Sequence, residues 1–307
     1  MVAQVIEVSP CADEADEQRS LDAYLETWPH ESFGLPEVQA FKASLLDHCD
    51  LLARENGAVL GSGLAALFVG LPESPRVMVT VPPPHRGLGA GTKLYSALSD
   101  WARERGLETF EAVLADNDPD SLAFAQRRGF TVERHEKGVA LDLTAIEPPP
   151  VEPPHGVDIV SWADRPELAR ALFEISVEAS PDVPGYEDET HEPFEAWLAH
   201  DMQGPGDRPE ATFVAVAGDV AVGYAKFSLS STDPTRAYHD LTAVKRAWRG
   251  RGIARALKSA QIGWAKANGF EQLKTTNDER NTAMRRLNEQ LGYRPWIGRI
   301  FMRGPLA

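Results

Sequence analysis

Residues 249–254, Arg249-Gly250-Arg251-Gly252-Ile253-Ala254, bring cationic side chains, missing side chains and the start of a helix to one point. The first amides of a helix have no intrahelical partner, and the macrodipole adds roughly half a positive charge at that end. Glycines let those N–H groups come close to an oxyanion, and an arginine offers a two-pronged fork. The chemistry open to such a turn is to hold a phosphate or pyrophosphate. Two other phosphate motifs fail on spacing: a dinucleotide fingerprint needs a third glycine where Arg255 stands, and no Gly-x-x-x-x-Gly-Lys-Ser/Thr run occurs.

The turn is present twice. Arg86-Gly87-Leu88-Gly89-Ala90-Gly91 repeats it, and residues 81–130 align with 244–293 at an offset of 163, without gaps, with 12 identities in 50 positions. Composition alone would give about three. A period this long marks a duplicated domain rather than a solenoid of short repeats.

The elements that must position the turn also repeat. In each half a short β run ("VIEV", "VDIVSW") precedes a polar, helix-prone region, then two alternating strands joined by a turn at Asn56-Gly57 or Gly218-Asp219. A third strand ("RVMVTV", "YHDLTAV") runs into the glycine turn and a long amphipathic helix. Leu94, Leu98 and Trp101 mark the apolar face of one helix, and Ile253, Leu257 and Trp264 that of the other. Gly106 and Gly269 stand where a glycine ends a helix. The spacing predicts a mixed α/β domain made twice: residues 1–147, a Pro-rich linker at 148–155, and residues 156–307.

Composition narrows the partners. The chain has 307 residues, 43% hydrophobic and 25% charged, with a formal charge of −15. That charge argues against general nucleic-acid binding. No apolar run is long enough for a membrane span, no signal peptide is visible, and two cysteines are too few for a disulfide framework, so a cytoplasmic setting is expected. The charge is unevenly spread: residues 1–147 carry 12 Lys/Arg against 24 Asp/Glu, whereas 245–303 carry 14 against 4. The positive excess surrounds the second turn. "DNDPD" at 116–120 opens like a calcium loop but lacks its glycine and closing acid, and no metal site is expected.

The pattern Val-x-x-x-x-Arg-Gly-x-Gly-x-Gly/Ala, then a long helix, then "TTNDERNTAMRRLNEQLGY", resembles the GNAT superfamily of acyl-coenzyme A N-acyltransferases. The likeness covers 81–130 and 244–293, and the remainder only by order of elements. It implies two tandem GNAT-like domains, each a twisted, mostly antiparallel sheet flanked by helices. The tandem layout is similar to that of the mycothiol synthases. The resemblance makes acetyl-coenzyme A the co-substrate, its pyrophosphate held by Arg249, Gly250, Arg251, Gly252, Ile253 and Ala254. Leu241, Thr242, Ala243 and Val244 on the preceding strand and Asn281 downstream would line the rest of it.

The implied reaction is direct acetyl transfer to an amine in a ternary complex. An ammonium has no lone pair, so a base is required. Asp240 is the first choice and His239 the second; alternation along the strand puts Asp240 with Thr242 on one face and His239 with Leu241 on the other. Many family members place a tyrosine, which protonates the leaving thiolate, seven residues after the Asn. Here Asn288 stands there; an amide can solvate a thiolate but is no practical acid. The N-terminal copy departs further, with Asp118 for Asn281, Ala125 for Asn288 and prolines at 82–84, so that half is read as degenerate, although Arg86, Gly87, Gly89 and Gly91 still fit the cradle and leave a second cofactor site open. The acidic stretch 180–197 (Asp182, Glu187, Asp188, Glu189, Glu192, Glu195) favours a small cationic amine as acceptor. The alternative is a non-catalytic acyl-coenzyme A sensor or assembly module. The oligomeric state is not legible.

Overall fold

The computed structural model describes residues 5–184, 187 and 190–307. Asp188 and Glu189 of the acidic stretch lie outside the described residues. The chain forms two compact units, one from the N-terminus to His135 together with Arg299–Ala307, the other from Glu136 to Gly298. Both are mixed α/β with a mostly antiparallel sheet flanked by helices.

In the first unit the order is β1 (Glu7–Pro10), α1 (Glu14–Thr27), α2 (Leu35–Ala43), β2 (Leu45–Glu55), β3 (Ala58–Phe68), β4 (Leu71–Thr80), α3 (Ala90–Arg103), β5 (Thr109–Ala115) and α4 (Pro119–Gln126). β1 to β4 pair antiparallel in sequence, and β4 meets β5 in parallel at only two positions, Arg76 with Glu111 and Val77 with Ala112. The β2–β3 turn takes positive φ at Asn56 (50°) and Gly57 (84°), the pair a tight hairpin requires. The sheet is completed by residues 299–305, which run antiparallel to β5 from Arg299 opposite Ala115 to Pro305 opposite Thr109.

The second unit follows the same plan. Residues 136–142 close β6 (Thr131–Asp142), followed by β7 (Asp158–Ser161), α5 (Ala169–Ala179), α6 (Phe194–Trp197), β8 (Phe213–Ala217), β9 (Val220–Leu229), β10 (Arg236–Val244), α7 (Ile253–Ala267), β11 (Gln272–Asp278), α8 (Thr282–Gln290) and β12 (Arg294–Pro305). β7 to β10 pair antiparallel in sequence, β10 meets β11 in parallel, and β11 pairs antiparallel with residues 136–142 of β6. The final sheet segment of each unit thus comes from the other half of the sequence. Asp142 opposite Gln272 is the counterpart of Pro305 opposite Thr109, again at the offset of 163. The compact units divide at His135 and Gly298, whereas a division by sequence alone falls at the Pro-rich stretch.

The apolar stripes read from the sequence are where the cores form. Leu94 and Leu98 of α3 and Ile253 and Leu257 of α7 are buried against the sheet faces. Truncating either Leu94 or Leu257 to alanine would cost about 2–5 kcal/mol. The helices stop where expected: Gly106 (φ 75°) and Gly269 (φ 82°) adopt the left-handed conformation only glycine takes freely. Among the described residues, no helix is long and apolar enough to cross a membrane.

Candidate functional site

Two features open a cleft in the second unit. The parallel pairing of β10 with β11 covers only Arg236 with Gln272, Ala237 with Leu273 and Tyr238 with Lys274. Beyond Tyr238 the strands have no pairing register, although each continues toward its C-terminal end. Ligands of open α/β sheets bind beyond the carboxyl ends of such strands. On its other side β10 pairs with β9, but the register slips between His239 (opposite Phe227) and Thr242 (opposite Ala225). Asp240 and Leu241 together oppose Lys226, a β-bulge that re-aims side chains and disturbs the ladder.

The bulge corrects the strict alternation expected of this strand. His239 and Val244 both face α7, although strict alternation would put them on opposite faces of the sheet. Leu241, expected beside His239, instead packs with α5 and Trp197 on the opposite face, the face that also carries Asp240. Thr242 is half-buried and alternates away from Leu241; Ala243 is buried with the α5 cluster and Val244 with the α7 cluster. The extra residue makes two consecutive side chains share a face.

At the open end of the cleft, β10 runs through a short helical turn at 246–248 into the glycine cradle. Gly250 (φ 74°) and Gly252 (φ 88°) are left-handed, and a Cβ built on either would meet nothing within 4 Å. Any other residue at these positions would carry backbone strain. The helical ladder begins with Ala256 N–H to Gly252 O, so the amides of Ile253, Ala254 and Arg255 precede it. The Ile253 side chain is buried and Ala254 packs beneath it, which anchors the helix start. Arg249 donates through Nε to the carbonyl of Val244 at 2.9 Å. Arg251 donates to Ala247 O and lies over the Trp248 ring, and Arg255 bonds Gln290. An open turn of left-handed glycines, leading amides and arginines fits a pyrophosphate.

Arg249 has a further partner. Its Nη1 is 2.7 Å from Asp182, which also accepts two bonds of 3.1 Å from Arg246. These bonds, first from Arg246 and then from Arg249, hold the Asp182 carboxyl below its ordinary range. Thus one acid of the stretch expected to attract the acceptor contacts the cradle instead. Glu192 contacts His200 at 3.1 Å.

On the α5 face, Asp240 is part of a charge cluster. Buried Lys226 reaches Asp240 at 3.0 Å, Asp207 at 3.1 Å and Asp201 at 3.8 Å, and Ser228 donates to Asp240 at 3.1 Å. Burial would lower the Lys226 ammonium, but Asp240, Asp201 and Asp207 together hold it above its ordinary range. Burial keeps the Asp207 carboxyl high despite that lysine. Asp201 lies on a π-helical turn, Leu198–Met202, directly after α6. Three carboxylates around one ammonium leave the patch net negative, and Asp240 is its half-exposed member beside the bulge.

His239, the second candidate base, is sealed in the α7 interior. Nδ1 meets Gln261 Oε1 at 2.9 Å, and Nε2 is hydrogen-bonded to the Tyr293 hydroxyl. Burial, reinforced by the Lys258 ammonium, drives its pKa well below the ordinary value. A ring with both nitrogens engaged in the core does not reach the α5 face, and the alternation that put it opposite Asp240 holds up to the bulge.

Asn281 caps α8, accepting from the Met284 amide at 3.2 Å. Asn288, buried on α8, donates through Nδ2 to Asn277 Oδ1 of β11 at 2.7 Å, while its Oδ1 is buried without a hydrogen-bond partner. One of its two amide hydrogens is thus used on β11. Sequence reading missed Tyr238. Its hydroxyl spans from β10 to Thr276 of β11, at 2.8 Å from Thr276 Oγ1, across the point where the two strands part. A tyrosine in a strand reads as an ordinary β-former, and only the register discloses its position.

The first unit repeats the cradle with a different filling. Gly87 (φ 80°) and Gly89 (φ 98°) are left-handed above open space, and Arg86 donates Nε to Val81 O at 3.1 Å, matching Arg249 and Val244. Here, however, Nη1 and Nη2 grip both oxygens of Asp118, at 3.2 and 2.8 Å. Asp118 is the N-cap of α4 and accepts from the Asp120 and Ser121 amides. Gly91 faces not a ligand space but the Phe124 ring, 3.2 Å from where its Cβ would stand.

The profile of the Acetyltransferase (GNAT) family matches residues 15–130 and 169–293, once in each half. The chain belongs to the GNAT family. Among solved structures, it is similar to a tandem GNAT protein from the clavulanic acid biosynthesis pathway (21% identity, 99% of both chains, TM-score 0.75). A GCN5-related N-acetyltransferase from Sphaerobacter thermophilus gives 23% identity over 98% of this chain and 96% of that one, TM-score 0.75. A fungal glucosamine N-acetyltransferase region of a multi-domain β-N-acetylglucosaminidase matches 97% of this chain and 38% of its own, at 13% identity and TM-score 0.70. At these identities the structures speak to a shared tandem GNAT fold. None of the curated proteins matches the sequence. Among the described residues no cluster of His, Cys, Asp or Glu has the arrangement of a metal site.

Proposed function

We propose that the second unit transfers an acetyl group from acetyl-coenzyme A to a primary amine of a small cationic acceptor, by direct transfer in a ternary complex. The observation that carries this is the cleft between β10 and β11, with an open glycine–arginine cradle at its mouth and Asp240 on one face. Acetyl-coenzyme A would supply a thioester activated toward attack by nitrogen. Arg249, Gly250, Arg251, Gly252, Ile253 and Ala254 would hold its pyrophosphate, and β10 from Leu241 to Val244 would line the arm. A backbone N–H freed by the bulge would polarise the carbonyl.

Asp240 takes the proton from the acceptor ammonium. Half-exposed, it can pass that proton to water, and Lys226 keeps a positive charge beside it through the cycle. The net negative patch of Asp201, Asp207 and Asp240 attracts a cation and discourages an anionic acceptor. In the first unit, Arg86 is taken by Asp118, which favours a scaffold role for that half.

Release of free thiol from acetyl-coenzyme A in the presence of a panel of primary amines tests the reading. Thiol release with a cationic amine is expected, falling about 10²–10⁴-fold in Asp240→Ala. The sensor reading draws on the commitment of Asn288 to Asn277. It predicts binding of acetyl-coenzyme A with no thiol release from any amine.

A further inference from the structure

The geometry points to Tyr238 as the group that protonates the departing coenzyme A thiolate, from the opposite face of the sheet to Asn288. This rests on the acyltransferase reading above. Tyr238 is the last residue of β10 to pair with β11, opposite Lys274. Its side chain leans toward the open end of the cleft and reaches Thr276. The parallel register has an offset of 36, so Thr276 stands level with Asp240. The phenol therefore lies across the cleft at the height of the bulge.

That height suits the sulfur. The arm between the pyrophosphate and the sulfur of coenzyme A has the span of about four to five extended residues, roughly 15 Å. Measured from the cradle end of β10 at Val244, the same distance along the strand ends near Asp240 and His239. A thiolate formed between the strands is open to a donor from either face. On the α8 face stands Asn288, an amide bound to Asn277 and with no proton acidic enough to give up. On the α5 face, the half-buried Tyr238 meets it.

The hydrogen bonds around the phenol support a proton donor. Thr276 Oγ1 donates its one hydrogen to Glu136 Oε2 at 2.8 Å, so in the 2.8 Å contact with Thr276 the phenol is the donor. The Thr276 backbone N–H points at the phenol oxygen from 3.3 Å, where it would stabilise a phenolate. During transfer the amine nitrogen forms a bond to the acetyl carbon while the carbon–sulfur bond breaks and its electron pair goes to sulfur. Asp240 takes the amine proton and returns it to water. The phenol turns its one hydrogen from Thr276 Oγ1 to the sulfur and gives it up; the phenolate, held by the Thr276 N–H, regains a proton from water by way of the Thr276 hydroxyl. The products are the acetamide and free coenzyme A.

The test needs no acceptor. Coenzyme A is titrated on the protein by the ultraviolet absorbance of its thiolate, with S-methyl coenzyme A, which cannot ionise, as the reference. In the wild type a bond from Tyr238 would hold the bound thiol's pKa about one pH unit below its value on Tyr238→Phe. With an amine substrate, kcat of Tyr238→Phe is expected to fall about 100-fold with the alkaline limb of its pH profile altered, while KM for acetyl-coenzyme A stays unchanged. Equal thiol pKa values in the two proteins, with coenzyme A bound equally well, would overturn the assignment. If calorimetry shows that neither protein binds coenzyme A, the acyltransferase reading itself fails and takes Tyr238 with it. Should Tyr238→Phe melt early, Thr276→Val replaces it: loss of the Thr276 relay should slow kcat without moving KM, and an unchanged kcat would count against the proposal.

Discussion

The two cradles share a backbone and differ in what meets the arginine. In both, a valine stands at the end of a strand (Val81 directly after β4, Val244 the last residue of β10), an arginine five residues on returns Nε to that valine's carbonyl, and two left-handed glycines start a helix. This explains why the arginine is repeated even where no ligand need bind: it first ties the turn to its own strand. The outer nitrogens then differ in their partners. Arg86 holds Asp118, the half-buried N-cap of α4, in a two-point grip. Arg249 meets Asp182, a half-exposed acid shared with Arg246. An anion arriving at the first cradle must break a helix cap; at the second it must displace a solvated acid. We propose that this internal carboxylate silences the first cradle while its backbone is retained.

The comparison is broken most directly at the arginines. Arg249→Met should weaken coenzyme A binding about 50-fold, the loss expected for charge-assisted bonds. Arg86→Met should leave that affinity unchanged and lower the stability of the first unit instead. Calorimetry and thermal melting on the two variants read both effects, and a shared phenotype would remove the distinction between the copies.

The grip on Asp118 makes a pH prediction. Burial alone would raise this carboxyl, but the bonds from Arg86 and Ser121 hold it at about 2, against an ordinary 3.8. A depressed carboxylate contributes stability that is full above the unfolded value and disappears as pH falls through the folded one. The contribution, roughly 2 kcal/mol, should therefore be present above about pH 4 and be lost between pH 4 and 2. Asp118→Asn should lack that part of the acid transition in urea melts followed against pH. A variant with an unchanged acid limb would mean that the pair is not formed.

A smaller effect sharpens the other side. If Asp182 competes with the ligand for Arg249 and Arg246, Asp182→Asn should tighten coenzyme A binding about two- to fivefold at low salt. The gain should shrink as salt rises, because the group is half-exposed and its interactions are screened. Weaker binding in the variant would show that Asp182 supports the cradle rather than competing for it.

The parts legible in the sequence were local. Positive φ at Gly250 and Gly252, the stripe of Leu94 and Leu98, and the helix stops at Gly106 and Gly269 depend on near neighbours. What stayed hidden depends on pairing over distance. The bulge that turns Leu241 away from His239 needs the β9 register. The contribution of residues 136–142 and 299–305 to the two sheets needs the strand partners. Asp118 read only as a charge hostile to an anion; its grip on Arg86 spans a helix and a strand. Tyr238 carried no signal until Thr276 was placed beside it.

The measurement that bears most directly on the central claim is the stoichiometry of acetyl-coenzyme A by calorimetry for the wild type, Gly252→Glu and Gly89→Glu. One site per chain is expected, abolished in Gly252→Glu by strain and a misplaced carboxylate, and kept intact in Gly89→Glu. Two sites in the wild type, with one lost in Gly89→Glu, would contradict the account and make both cradles functional.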